Sequence, residues 1–324
     1  MEEQSNIQEH QPLPFNNLYL NAGYVNGQNE WWMYFFGVCA SLLGYFLFQL
    51  FMLFPLISAA LENGIKLEEI QMKPDILFDS EKIGISKNLL LVLLFGMFVF
   101  AFLGLWLALK RLHKKTLVSV ITAYENVRWG RIFFSFAIWS ALIIIVTVAG
   151  YFMSPGEYTL QFDPSSFFTL LIIALLLLPI QTSTEELLFR GYLVQGLSQI
   201  FKNGIIPLII TSVLFGMVHM KNPEAEKHGW LLMFPYYASF GFFLGALTLL
   251  DEGLELALGI HCANNLISSL LITSPNGVLK TDAVFMVSAE HPMAEFITWV
   301  AMASLTFIIF WRKYRWKNFN LLIK

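Results

Sequence analysis

Glu185, Glu186 and Arg190 place three formal charges inside an apolar run that otherwise extends from Phe167 to Phe201. An ionised group near the centre of a bilayer costs about 3 kcal/mol even on lenient insertion scales, so such groups usually face a protein interior or a water-filled cavity and mark a working site. Two other apolar segments carry one histidine each, His219 and His261, and the second also carries Asn265. Carboxylates, imidazoles and a carboxamide can together abstract a proton, return it and donate hydrogen bonds, which is the equipment of acid–base hydrolysis.

Helical spacing sorts these groups. Glu186 and Arg190 are four residues apart, hence on one face and in the order that favours an ion pair. Glu185 is turned about 100° away from Glu186 and is free to face another element. Phe215 and His219 share a face, as do His261 and Asn265, while Asn264 points elsewhere. Plainer readings exist: Glu186 with Arg190 as a neutralised structural pair, His219 as an interfacial residue, Asn265 as interhelical glue. They leave unexplained why the remaining apolar segments hold no Asp, Glu, Lys, Arg or His between their ends. His10, His113, His228 and His291 fall in polar or loop segments and are set aside.

The elements that must position these groups are membrane helices. Of the 324 residues, 56% are hydrophobic and 13% charged, against about 25% charged in a soluble domain. Mean hydropathy is +0.62, and the fold class expected is an all-α polytopic membrane protein. At about 20 apolar residues per crossing, eight helices are expected, near 31–60, 88–109, 132–153, 166–190, 205–220, 230–250, 256–273 and 296–311. Residues 1–30 lack Lys and Arg and read as a polar tail, disordered or lying at the interface, with no signal peptide. Residues 31–165 then hold the first three helices, 166–272 the chemical core, and 273–324 the last helix with a basic tail. The net charge of −3 argues against a nucleic-acid partner. Cys39 and Cys262 lie in apolar segments and read as buried small hydrophobes, and no CxxC spacing exists.

Orientation follows from short-loop Lys and Arg. The loop 110–131 and the tail 312–324 are both basic, and eight helices put them on one side. That side is expected to be cytoplasmic, together with the N-terminus. Counting from the loop at 202–204, His219 lies about 21 Å into the membrane, deeper than Glu185 and His261 are expected to sit, and the cavity is expected to open toward the cytoplasm.

Glu185-Glu186-x-x-x-Arg190, Phe215-x-x-x-His219 and His261-x-x-x-Asn265, in that order on three helices, resemble the CAAX prenyl protease and bacteriocin-processing family, CPBP or Abi. The match covers roughly residues 166–272. The resemblance implies an eight-helix intramembrane glutamic endopeptidase, often labelled a metalloprotease, in the plasma membrane of a prokaryote. It implies that Glu185 is the general base, that His219 helps it to activate water, and that His261 and Asn265 stabilise the oxyanion. Glu186, Arg190 and Phe215 would shape and charge-balance the site. No cofactor is expected, and the partners implied are the lipid bilayer and a prenylated or other membrane-associated polypeptide. The rival readings are a zinc hydrolase using Glu185, His219 and His261, a non-catalytic scaffold or bacteriocin self-immunity protein, and a transporter or proton relay. Against zinc there is no HExxH, and against transport there are no repeated halves.

Overall fold

The computed structural model describes residues 13–275, 277 and 280–323. The apolar segments form helices α2 (Trp31–Glu62), α3 (Lys87–His113), α4 (Trp129–Met153), α5 (Pro164–Phe201), α6 (Ile205–Val218), α7 (Trp230–Asp251), α8 (Glu255–Leu271) and α9 (Pro292–Tyr314), preceded by a short α1 (Leu18–Val25). Six of them, α2, α3, α4, α5, α7 and α9, are long and apolar enough to cross a membrane. Large apolar side chains such as Phe54, Phe152, Leu176 and Ile297 point outward, and this band defines an integral membrane protein whose lipid-facing surface needs no polar cover.

The eight expected helices are all present, but α6 has 14 residues and α8 has 17. Helix α8 is enclosed by protein, whereas α6 keeps one face exposed through Ile206, Ile209, Val213 and Met217. Helix α8 packs against α4, α5 and α7, and every residue from Glu255 to His261 is buried. Helix α5 is the opposite case: at 38 residues it is about 57 Å long, well beyond the roughly 30 Å hydrocarbon layer. That length resolves the mismatch in depth. Glu185 and His219 stand about 24 Å and about 21 Å from the turn joining α5 to α6, so they share a level. Immediately after the two glutamates, Leu187–Leu193 widens into a π-helix, a local rewinding that is often found at working sites.

The expected N-terminal tail is not a tail where it is described. Residues 1–12 lie outside the described residues, but Asn17 caps α1 by accepting from the Leu20 amide and donates to the carbonyls of Leu249 and Leu321, each at 2.9 Å. Tyr19 is fully buried, its hydroxyl 2.6 Å from the Val120 carbonyl. An apolar stripe this short escapes any window sized for a membrane crossing. Cys39 also departs from expectation: it is exposed on α2, where lipid rather than protein would cover it, while Cys262 is half-buried, and both thiols are free.

The two ends of the bundle differ. At one, strands β1 (Tyr158–Leu160), β2 (Ile272–Thr273) and β3 (Phe285–Val287) form a small sheet in the order β1-β3-β2, with β1 antiparallel and β2 parallel to β3. At the other, the basic loop before α4 and the C-terminal tail converge on buried carboxylates at the α7–α8 turn. Arg128 holds Glu255 at 2.6 Å and Asp251 at 3.1 Å, Arg131 holds Asp251 at 3.0 Å, and the Trp316 indole donates to Asp251 at 3.3 Å. This cluster fixes the first turn of α8, from which His261 projects two turns later. Arg128→Met leaves the fully buried Glu255 without its forked partner and is expected to destabilise the protein by about 3–5 kcal/mol. Thermal unfolding in a fixed detergent measures it, and an unchanged midpoint would show that the cluster does not anchor α8.

Candidate active site

The site grows from one carboxylate. Glu186 is fully buried, and its Oε1 accepts from Arg190 Nη1 at 2.8 Å and from His261 Nδ1 at 2.6 Å. The i, i+4 ion pair read from the sequence is therefore formed, but it has a third member from α8. The Arg190 guanidinium lies 4.0 Å from the Phe215 ring centre and its Nε faces the Gly241 carbonyl at 3.5 Å. A methyl group on Gly241 would stand 3.2 Å from Arg190 Nη2, so glycine there makes room for the cation. Phe215 thus acts on the site through a cation–π contact.

A carboxylate only accepts hydrogen bonds, so His261 Nδ1 carries a proton and Nε2 is its free atom. That Nε2 lies 3.6 Å from Glu185 Oε2, close enough for attraction and too far for a hydrogen bond. Glu185 is held by its other oxygen. Its Oε1 accepts from Gln181 Nε2 at 2.5 Å, and Gln181 Oε1 accepts in turn from Asn265 Nδ2 at 2.9 Å. Glu185 Oε2 is buried and takes no hydrogen bond among the described residues, the condition of an oxygen kept open for a proton.

His219 stands where α6 ends and a 3-10 turn, His219–Lys221, begins. Its Nδ1 donates to the Phe215 carbonyl at 2.7 Å, and its ring stacks on Tyr237 at 4.4 Å. Tyr237 is fixed by hydrogen bonds to Glu224 and Asn222. With Nδ1 committed, His219 offers Nε2, and it lies within electrostatic range of Glu185, His261 and Arg190 without bonding to Glu185 directly. Gln181 and Tyr237 were missed from the sequence. Gln181 precedes Glu185 by one helical turn, a signal that spacing alone could have given; Tyr237 leaves no such trace.

A cavity of about 630 Å³ approaches this cluster, lined by Tyr45, Gln49, Leu94, Met97, Lys221 and Asn222 among others. Tyr45 is within electrostatic range of Glu185, and Asn222 bonds Tyr237. The cavity opens between the loop before α3, the turn after α6 and the loop after α8, at the sheet end of the bundle. The expected mouth lay on the basic side; this cavity, which none of Glu185, His219, His261 and Asn265 lines, lies at the other end. Helix α6 stops at Val218, and Lys221 and Asn222 just after it are among the residues that line the cavity. Among the described residues, no three His, Cys, Asp or Glu side chains stand close enough to hold a metal ion.

Paired glutamates, two histidines and an asparagine are thus gathered between the helices of an integral membrane protein. The profile of the family described as type II CAAX prenyl endopeptidase Rce1-like matches residues 164–267, the stretch from α5 into α8. The uncharacterized protein YyaK of Bacillus subtilis (strain 168) is 34% identical over 274 residues, spanning 84% of this chain and 88% of that protein. No solved structure matches the chain. The protein belongs to the Rce1-like CAAX prenyl endopeptidase family.

Because Glu186 is the shared anion, Glu186→Gln strands a buried guanidinium and is expected to cost about 3–5 kcal/mol, whereas Glu185→Gln replaces a carboxylate with no ion-pair partner within hydrogen-bond reach and costs less. Paired thermal unfolding curves decide it; equal losses would remove Glu186 from its central place.

Proposed function

We propose that the protein is an intramembrane endopeptidase that hydrolyses a peptide bond of a membrane-associated polypeptide, with Glu185 as general base. The observation that carries this is the asymmetry of Glu185: one oxygen is tied to Gln181 and the other is buried, open and faced by His261 Nε2. In the reaction, Glu185 takes a proton from a water that His219 Nε2 helps to orient. The resulting hydroxide adds to the scissile carbonyl carbon. The oxyanion is met by Nε2–H of a protonated His261, whose charge is balanced by Glu186, and by the second amide hydrogen of Asn265. Glu185 then returns the proton to the departing amine nitrogen as the C–N bond breaks, so no proton is gained or lost over the cycle. One such donor is worth about 2.7–4 kcal/mol of barrier.

The donor set supports a reaction run without a metal. Each histidine has its Nδ1 committed, His261 to a carboxylate and His219 to a carbonyl, which leaves one nitrogen each and no clustered trio. The basic clusters favour cytoplasmic termini in the plasma membrane. A prenylated polypeptide is the substrate class that the family description brings.

Reconstituted in liposomes, the protein is expected to cleave either a farnesylated Cys-aliphatic-aliphatic-X peptide or an unmodified membrane-anchored peptide, with activity unaffected by chelators. Glu185→Gln is expected to lower the rate about 10²–10⁴-fold while the protein stays folded. Full activity in Glu185→Gln rules out this assignment, and chelator-sensitive cleavage restored by zinc rules out the metal-free route.

A further inference from the structure

A line of side-chain hydrogen bonds runs from the middle of α4 to the free carboxylate of α5. The Trp139 indole, fully buried, donates to Asn264 Oδ1 at 3.1 Å; Asn264 Nδ2 donates to Asn265 Oδ1 at 3.2 Å; Asn265 Nδ2 donates to Gln181 Oε1 at 2.9 Å; and Gln181 Nε2 donates to Glu185 Oε1 at 2.5 Å. The two ends of this line differ in kind. An indole N–H can only donate and a carboxylate can only accept, so the three amides between them have a single orientation that satisfies every link. Turning any one of them would set oxygen against oxygen or hydrogen against hydrogen at two links. An amide's two ends are nearly isosteric, and within such a line it is its neighbours that choose between them.

We infer that Trp139, Asn264 and Gln181 are positioning residues: Trp139 and Asn264 compel the Asn265 amide to present its NH₂ end toward Gln181 and Glu185, and Gln181 occupies Glu185 Oε1 so that Oε2 is the oxygen left to react. Asn265 uses one amide hydrogen on Gln181 and keeps the other for an oxyanion. If its amide were turned, it would present an acceptor and repel the charge it is meant to stabilise. Asn264, which helical geometry alone sets aside, is thereby the link that carries orientation from α4 to α8. The kinetic part of this inference rests on the proteolytic reading; the orientation of the amides does not.

The test uses the full chain in lipid nanodiscs with ¹⁵N-labelled glutamine. The Gln181 side-chain amide signal, assigned by its loss in Gln181→Met, is expected to move in Trp139→Phe and in Asn264→Ala, although each reaches Gln181 only through the intervening hydrogen bonds. A signal unmoved in both variants overturns the inference whether or not the protein is a protease.

Kinetics on whichever peptide the wild type cleaves add a second readout. Gln181→Met is expected to lower kcat by about tenfold or more with KM changed less than about twofold. Asn264→Asp, nearly isosteric but unable to donate to Asn265, reverses the line and is expected to lower kcat per folded molecule further than Asn264→Ala does. A packing role gives the opposite order. If Glu185→Gln is inactive while Gln181→Met keeps the wild-type kcat, or Asn264→Asp is milder than Asn264→Ala, the positioning role is wrong and the protease reading stands. If Glu185→Gln cleaves like the wild type, the assignment of Glu185 as the general base fails and the amide signal alone decides the orientation.

Discussion

One carboxylate oxygen organises the interior of this protein. Glu186 Oε1 receives Arg190 from its own helix and His261 from a helix 75 residues further along the chain. Buried charges are tolerated in pairs or networks and are costly alone, so the position of α8 against α5 is set by the need to bring an imidazole to that oxygen. Arg190 extends the constraint, because its other faces touch Phe215 of α6 and the Gly241 carbonyl of α7. Four helices are thus registered on a single charge. Glu185, the neighbour that Glu186 does not need, is left with one oxygen open.

The lengths of the helices follow from where they stand. A helix facing lipid must satisfy its backbone over the whole hydrocarbon depth, whereas one enclosed by protein need not. Helix α8 is enclosed and short, α6 is short with one face still exposed, and each brings a histidine to the site. Because α6 ends early, His219 sits in a tight turn with its Nδ1 closed off by a carbonyl, and the space beyond it belongs to the cavity. The over-long α5 reaches past the bilayer on the way and changes winding just after the glutamates. At the far end, Arg128 and Arg131 hold the turn between α7 and α8 by two fully buried carboxylates. The polar features of the molecule therefore act as fixed points, and lipid-facing apolar surface fills the distances between them.

Charged and titratable residues were legible in the sequence because each is costly inside an apolar run. Glu185, Glu186, Arg190, His219 and His261 stand out for that reason, and helical spacing alone pairs Glu186 with Arg190. Neutral polar residues carry no such signal. Asn264 and the Trp139 indole pass as ordinary members of membrane helices, and although spacing pairs Gln181 with Glu185, the joining of α4, α5 and α8 through these groups depends on packing, which hydropathy does not encode. The same holds for Glu186 and His261, whose separation in sequence hides their contact. Short elements fall below the length at which periodicity is visible: α1 is eight residues long, the strands have two or three, and Cys39 faces outward because periodicity does not say which side of α2 meets protein.

The central claim is that the open oxygen of Glu185 breaks peptide bonds in the membrane. Its most direct test works even while the substrate is unidentified: new polypeptide termini are compared by mass spectrometry in membranes from cells carrying the wild-type protein or Glu185→Gln at matched levels. The account predicts a small set of termini that is present with the wild type and absent with the variant. Identical sets of termini, with both proteins folded and equally abundant, would contradict it.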